Sequence, residues 1–369
     1  MIKRLLLSLI AAAMGLSALG YAYLQHPKFG SLPEGPRLEA ISASRNHAQE
    51  QFRNLVPTPL FIGESGLLAR LANTWRTRAV ELTPERPVPA IRTDLKSLDR
   101  NRDTVVWLGH SSYFVQLAGR RILIDPVFST SASPVPFTND AFEGTSVYSV
   151  QDMPDIDYLL ITHDHWDHLD HPTVSMLEPK VRTVVTGLGV GAHLERWGYP
   201  QAKIREADWF DKVQVDNGIA VHVLPARHFS GRLLTRDKTL WVAFALESPE
   251  RRLFFSGDSG YGPHFDEIGR RFGGFDLVAL DNGQYDSRWA LVHMTPEQAS
   301  RAAEDLRAKA LLPGHVGKFK LARHAWDEPL ARIVAASSGK SYRLVTPTIG
   351  EPVRLGDEQQ QFLPWWQAL

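Results

Sequence analysis

Short apolar runs of β-type composition recur through the middle of the chain, and each ends abruptly in polar side chains. Tyr158-Leu159-Leu160-Ile161 passes into Thr162-His163-Asp164-His165-Trp166-Asp167-His168, and residues 220–224 pass through Pro225-Ala226-Arg227 into His228. Leu253-Phe254-Phe255 gives way to Ser256-Gly257-Asp258-Ser259-Gly260, and Ala310-Leu311-Leu312 to Pro313-Gly314-His315. Runs this short, bounded by turn formers, predict buried strands. Residues 121–124, before Asp125-Pro126, and residues 181–186, before Gly187-Leu188-Gly189, add two more. Helices are predicted between them. One begins near Asp170-His171-Pro172, and one is opened by Thr295-Pro296-Glu297-Gln298, with Thr295 as N-cap and Gln298 completing a capping box. Strands alternating with helices predict an α/β domain.

The N-terminus shows a different pattern. Lys3-Arg4 precede an uncharged run over residues 5–24, long enough as a helix to span a hydrocarbon core of about 30 Å. This is a membrane-targeting segment. Its length and its terminal Tyr21 and Tyr23 favour an uncleaved signal anchor, with the basic end cytoplasmic and, in a bacterium, the α/β domain on the periplasmic side of the inner membrane. Small residues in Ala18-Leu19-Gly20 and Gly20-Tyr21-Ala22 offer the alternative, a periplasmic protein released by signal cleavage. Four segments follow from this reading: 1–25 the targeting segment, 26–100 an extension, 101–355 the α/β domain and 356–369 an apolar tail. The extension is rich in Pro, Arg and turn formers, with helical stretches such as residues 67–80, and is expected to wrap the domain. In the tail, Phe362, Leu363, Trp365 and Trp366 could dock on the core or meet a membrane interface.

Composition narrows the chemistry. Lys plus Arg and Asp plus Glu number 41 each, so no basic excess recommends nucleic acid as a partner. The chain has no cysteine, which leaves any metal site to nitrogen and oxygen donors. There is no G-x-S-x-G elbow to supply a serine nucleophile. Gly187-Leu188-Gly189-Val190-Gly191-Ala192 satisfies G-x-G-x-x-A, but no repeated βαβ halves surround it, so it reads as a close strand-to-helix turn. Oligomeric state leaves no mark in the sequence.

The run from His163 to His168 reads H-x-H-x-D-H. Side chains alternate in an extended segment, so His163 and His165 leave it on one side and can share a metal at about 2.0–2.1 Å. Asp167 and His168 then serve a second metal. Two metals need more donors than these four, and His228, Asp258 and His315 stand at the ends of other predicted strands.

The order H-x-H-x-D-H, His, Asp, His resembles the ligand series of metallo-β-lactamase-fold hydrolases. Further strings are similar to one group within them: N-acyl-phosphatidylethanolamine-hydrolysing phospholipase D, its bacterial membrane-associated relatives and the ascorbate-6-phosphate lactonases. These strings are Val106-Trp107-Leu108-Gly109-His110-Ser111-Ser112, Ile122-Leu123-Ile124-Asp125-Pro126-Val127-Phe128-Ser129, Gly257-Asp258-Ser259-Gly260-Tyr261, His293-Met294-Thr295-Pro296-Glu297-Gln298-Ala299 and His324-Ala325-Trp326-Asp327-Glu328-Pro329. The resemblance covers roughly residues 100 to 350.

That resemblance implies a four-layer αββα sandwich with two divalent metals at one edge. His163, His165 and His228 would hold one, Asp167, His168 and His315 the other, and Asp258 would bridge them. Zinc is the default, with iron and manganese also compatible with the donor set. Two adjacent dications make hydroxide available from water near neutral pH. Asp125 and His110 are candidates for supporting the ligands from behind, Asp125 having turn formation and His110 packing as the alternative. Asp164 and Asp170 could orient imidazoles or cap the following helix. His293 matches a histidine near the phosphate in the resembling phospholipases, where it could act as general acid, or it could serve only the helix start. His171, His193, His222, His264 and His324 have no partner assignable from sequence. The function expected is a metal-dependent hydrolase cleaving the phosphodiester of a lipid-like substrate in the phospholipase D manner. A lactonase or other acyl hydrolase, or a non-catalytic metal-binding protein tethered to the membrane, are the other readings.

Overall fold

Tyr158 and Leu160 face a core between two sheets, Leu159 and Ile161 face a second core under helices, and all four are buried. An unbroken apolar run is what a strand covered on both faces requires. The computed structural model describes residues 2–62, 80–135, 137–214, 218–232 and 235–369. Two helices and a small hairpin come first: α1 (Ile2–Leu24), α2 (Pro36–Ala43), β1 (His47–Ala48) and β2 (Gln51–Phe52).

Two seven-stranded sheets follow. The first contains β3 (Thr104–Trp107), β4 (Tyr113–Leu117), β5 (Arg120–Ile124), β6 (Ile156–Ile161), β7 (Val181–Gly187) and β8 (Ile204–Ala207). The second contains β9 (Lys212–Gln214), β10 (Ala220–Pro225), β11 (Val242–Glu247), β12 (Arg252–Phe255), β13 (Leu277–Asp281), β14 (Ala310–Gly314) and β15 (Arg343–Leu344). The last strand, β16 (Pro352–Arg354), returns to the first sheet and pairs antiparallel with β3. Each sheet is antiparallel at one end and parallel at the other, β5 to β8 and β12 to β15 forming the parallel halves.

The outer layers are helical. Val174 and Leu177 of α3 (His171–Leu177) and Leu194 of α4 (Gly191–Arg196) share a core with Phe114, Leu123 and Leu159 of the first sheet. On the far side, Phe265 and Ile268 of α5 (His264–Phe272), Ala299 and Ala302 of α6 (Pro296–Asp305), and Leu330 and Ile333 of α7 (Glu328–Ala336) close over the second sheet. The architecture is the four-layer αββα sandwich of the metallo-β-lactamase fold, with an apolar N-terminal helix. Each fully buried Leu, Ile or Phe contributes about 1.5–3 kcal/mol.

Parallel strands gather their carboxyl ends at one edge of a sheet. Asp125, Thr162, Asp258, Asp281 and His315 lie at or just past the ends of β5, β6, β12, β13 and β14, while His228 follows β10. Asp125 (φ 42°), His110 (φ 53°) and His315 (φ 58°) adopt left-handed backbone conformations, each at a cost of order 1 kcal/mol for a residue with a Cβ. Gly257 (φ 56°) allows a close approach, because a Cβ there would sit 2.8 Å from that of Thr162.

The extension lies against this edge. Arg37 pairs with Glu195 and Glu206, the Ser31 amide donates to His193 Nδ1 (3.0 Å), and Phe52 is buried. Apart from Val80, the helical stretch expected over 67–80 falls outside the described residues. In the tail, Trp365 and Trp366 are docked on the core: Trp365 is buried beside Trp107 and Trp326 and donates Nε1–H to Pro347 O (3.1 Å), while Leu363 is exposed.

Candidate metal centre

Beyond Ile161 the chain leaves β6, and Asp125 fixes where it goes. The Thr162 amide donates to Asp125 Oδ1 (2.8 Å) and the Thr162 hydroxyl to Oδ2 (2.5 Å). From that point His163 and His165 turn to one volume, with His163 Nε2 and His165 Nδ1 2.9 Å apart. His228 Nε2 comes to 3.2 Å from His165 Nδ1. Asp258 Oδ2 lies 3.8 Å from His163 Nε2 and 3.5 Å from His228 Nε2. A tetrahedral ion with bonds of about 2.0–2.1 Å separates its ligand atoms by roughly 3.4 Å, close to these spacings.

A second group adjoins the first. Asp167 Oδ2 is 3.5 Å from His168 Nε2, 3.8 Å from His315 Nε2 and 2.9 Å from His110 Nε2. Asp258 joins the groups: its Oδ1 lies 3.0 Å from His168 Nε2 and 2.7 Å from His315 Nδ1, while its Oδ2 faces His163 and His228. All seven candidate ligands thus meet at one place. His110 touches Asp167 itself, among the ligand atoms rather than behind an imidazole.

Whether these residues suit metal ions is tested by their unpaired atoms. His168 Nε2, His315 Nε2 and Asp258 Oδ1 are buried with no hydrogen-bond partner among the described residues, and an unsatisfied buried polar atom costs about 1–3 kcal/mol. Cations would satisfy all three. The other ring nitrogens agree: His168 Nδ1 lies 2.8 Å from Asp125 Oδ2 and His228 Nδ1 2.9 Å from Val292 O. An N–H given to those acceptors turns Nε2 inward, the arrangement of a metal-binding histidine; at His168 burial lowers the imidazole, but Asp258 and Asp167 hold it well above its usual value, so a proton stands there where a cation would. Burial, reinforced by His168 and His165, holds the His163 imidazole well below its usual value and therefore neutral. Burial alone would raise Asp258, but His168 and His315 keep its carboxyl well below the ordinary range.

His293 stands beside these groups and has a partner of its own. Its Nδ1 is 2.9 Å from Oδ2 of the buried Asp281, which also accepts from the Ser259 amide (3.2 Å). Burial pulls the imidazole down, yet the Asp281 carboxylate holds it above the usual histidine value. The capping box of Thr295 and Gln298 forms two residues on, so the helix start does not need His293. His293, His165 and Asp258 line a cavity of about 270 Å³ whose other walls include Phe61, Phe229 and Trp289.

Several side chains differ from expectation. Asp164 supports no ligand imidazole; its carboxylate accepts from the Gly231 amide (2.7 Å) and the Thr239 hydroxyl (2.9 Å) and lies 3.3 Å from His193 Nε2. Asp170 holds the N-cap position of α3, but Ser129 and Thr173 take its carboxylate and the helix amides receive none of it. Four histidines without a sequence partner gain one: His193 with Asp164, His222 with Glu247 (3.0 Å), His264 with Ser259 (3.2 Å) and His324 with the Gln284 amide (2.9 Å). His171 packs edge-on to Trp197. Two residues of the site escaped the sequence. Asp281 carries the same signal as Asp258, a strand ending in an acid before turn formers. Asn54 carries none, yet it brackets His228 from the extension, accepting its amide (3.0 Å) and donating to its carbonyl (2.7 Å).

Known proteins resemble this chain in sequence and fold. Residues 120–316 match the family described as the beta-lactamase superfamily domain, a stretch that contains all seven candidate ligands. Over 341 residues the chain is 37% identical to an uncharacterized protein of Mycobacterium tuberculosis, covering 89% of this chain and 90% of that one. It is 31% identical over 228 residues to N-acyl-phosphatidylethanolamine-hydrolyzing phospholipase D 1 of Caenorhabditis elegans, covering 58% of this chain and 64% of that protein. The metallo hydrolase Igni18 of the archaeon Ignicoccus hospitalis superposes with a TM-score of 0.52 at 21% identity, over 68% of this chain and 97% of that one, a likeness of fold. A shared domain over the whole ligand series, within an alignment reaching nearly nine-tenths of the chain, places this protein in the beta-lactamase superfamily as a metal-dependent hydrolase.

Proposed function

We propose that this hydrolase cleaves the phosphodiester of a lipid-like amphiphile in the phospholipase D manner, giving a phosphomonoester and an alcohol. The observation that carries the reading is the cavity itself. Its lining brings Asp258, His315 and His293 together with the apolar side chains of Leu60, Phe61, Phe229 and Trp289. Such a lining suits a substrate that joins a charged phosphoryl group to an apolar chain. The relative from C. elegans is named for hydrolysing such a lipid, and this chain spans 64% of its length. With α1 as an uncleaved anchor in the inner membrane, the domain stands on the periplasmic face, beside the bilayer in which such substrates reside; cleavage after α1 would instead release a periplasmic enzyme.

A pair of divalent cations, zinc by default, would supply ionised water near neutral pH and positive charge for the phosphoryl oxygens. His163, His165 and His228 would hold one, Asp167, His168 and His315 the other, and Asp258 would join them. Asp125 and Val292 O keep His168 and His228 in the tautomer that faces inward. His293, protonated through its contact with Asp281, holds a proton at Nε2 while Nδ1–H stays on the carboxylate. As the bond from phosphorus to the alcohol oxygen breaks, that proton passes to the departing oxygen, which leaves as a neutral alcohol.

The experiment compares full-length protein with His293→Ala on phosphodiesters of graded leaving-group pKa and on lactones, with metal content measured alongside. The variant is expected to keep both metals and to lose about 10²–10⁴ in turnover, least where the leaving group needs no proton. Loss of metal would make His293 a ligand, and unchanged turnover would remove it from the chemistry. Hydrolysis of lactones with none of phosphodiesters would replace this reading with acyl transfer to water at the same site.

A further inference from the structure

A second apolar feature sits beside the end of α1. Large side chains are exposed along most of that helix, from Leu5 through Leu16 to Tyr21 and Tyr23. Where α1 ends, the Tyr23 hydroxyl donates to the carbonyl of Pro134, and Lys28 Nζ donates to the same carbonyl (2.8 Å) from above the Tyr23 ring (4.3 Å). Pro134 belongs to a loop whose tip carries Val135, 50% exposed, and Phe137, 93% exposed.

The loop is held in shape. The Ala132 amide donates to Asn139 O (3.0 Å) and the Ala141 amide to Thr130 O (2.8 Å), while the Phe142 amide ties its base to Lys318 O (2.7 Å). The Thr138 hydroxyl donates to Val135 O (2.6 Å), and Ser131 Oγ to Thr138 O (2.6 Å). Phe137 adopts a left-handed backbone (φ 64°), which a bulky residue adopts at a cost. Single exposed apolar residues are ordinary on a protein surface. Here a valine and a phenylalanine follow, within three residues, the carbonyl that Tyr23 and Lys28 share at the end of an apolar helix, where interfacial aromatic residues mark the headgroup level of a bilayer.

We propose that Val135 and Phe137 form a second lipid-contacting edge, inserting at the headgroup boundary of the bilayer that α1 spans; the inference rests on the reading of α1 as an anchor. Lys28, whose ammonium donates to the Tyr23 hydroxyl (2.8 Å) and to Pro134 O (2.8 Å), adds positive charge at the same level, which favours anionic lipid headgroups. One contact inside the bilayer lets a domain swing about its tether, and two fix its tilt. The edge also adjoins the metal loop. Phe29 packs edge-on to Trp166 (5.5 Å), and the Lys28 carbonyl accepts from Arg232 (2.9 Å), whose guanidinium covers the Trp166 ring (3.9 Å). Trp166 lies between His165 and Asp167 in the sequence, so the fixed tilt holds the metal loop near the membrane surface.

The chain has no cysteine, so one introduced thiol can be labelled alone. Full-length Leu16→Cys, Phe137→Cys and Arg270→Cys, each carrying an environment-sensitive fluorophore, are reconstituted in phosphatidylcholine–phosphatidylglycerol vesicles with shallow or deep spin-labelled lipid. Leu16 reports the anchor, and Arg270, exposed on α5 over the other sheet, reports water. The expected result is deep quenching at Leu16, shallow quenching at Phe137 at least twofold above that at Arg270, and a blue-shifted Phe137 label. Quenching at Leu16 with a Phe137 label indistinguishable from Arg270 overturns the second edge and leaves the anchor standing. An unquenched Leu16 label overturns the anchor and the inference with it.

Discussion

Asp258 divides its two oxygens between two groups of imidazoles, so one side chain governs the whole centre. Asp258→Asn keeps the shape and removes the charge that offsets two dications. Elemental analysis should show at least one metal equivalent lost, with activity down by more than about 10²-fold, far beyond the change in volume. Full metal content with near-normal rates would end the bridging assignment. Asp281 offers a subtler test because it acts through His293. Asp281→Asn should retain both metals and lose most activity on substrates with poor leaving groups, with a steeper dependence on leaving-group pKa, because the imidazole gives up the charge that keeps it protonated. A uniform loss across substrates would make Asp281 a packing residue. The ligands were legible one at a time because strand alternation and a strand end are local patterns. The pairing of Asp281 with His293 is not local: it depends on β13 and the segment before α6 meeting, and no spacing along the chain expresses it.

At the scale of elements, turns do much of the positioning. Gly257 lets the β12 turn pass over Thr162, the residue that Asp125 grips from the other side. Gly257→Ala should cost more than about 1 kcal/mol, since a positive φ is combined with a Cβ placed 2.8 Å from that of Thr162. Denaturant unfolding measures the loss, and weaker metal retention should accompany it as the His163 loop shifts. A midpoint equal to that of the parent would show the turn to be slack. Capping boxes such as that of Thr295 and Gln298 are readable because donor and acceptor lie three residues apart. Asp170 stays ambiguous in the sequence for the complementary reason: a carboxylate at an N-cap position is also open to side-chain donors, and Ser129, distant in sequence, takes it.

For the whole molecule, the two parallel half-sheets converge on a pool of buried imidazoles and carboxylates whose stability depends on what fills it. Binding to the folded state alone adds RT ln(1 + [L]/Kd), about 4 kcal/mol at a thousandfold excess over Kd. Chelator should therefore lower the melting temperature by several degrees, and added zinc should restore it. A melting temperature indifferent to both would argue that the clustered side chains satisfy one another. Buried strands are legible because runs such as Tyr158-Leu159-Leu160-Ile161 are apolar on both faces, whereas their stacking into a four-layer sandwich follows from the family resemblance. For the tail, docking on the core stands beside membrane contact as a reading of the sequence, and what decides it is not local: Trp365 gains its partners from Trp107 and Trp326, far away in sequence. Trp365→Ala should cost about 3–5 kcal/mol for the cavity it leaves, measured by the same unfolding assay.

The pairing of β16 with β3 also joins distant parts of the chain, since residues 352–354 complete the edge of the first sheet beside Thr104–Trp107. That short strand covers amides and carbonyls that β3 would otherwise present along one side, and an open strand edge is a template for pairing with another chain. Loss of residues 352–354 would therefore show first as self-association rather than as a change at the distant metal centre.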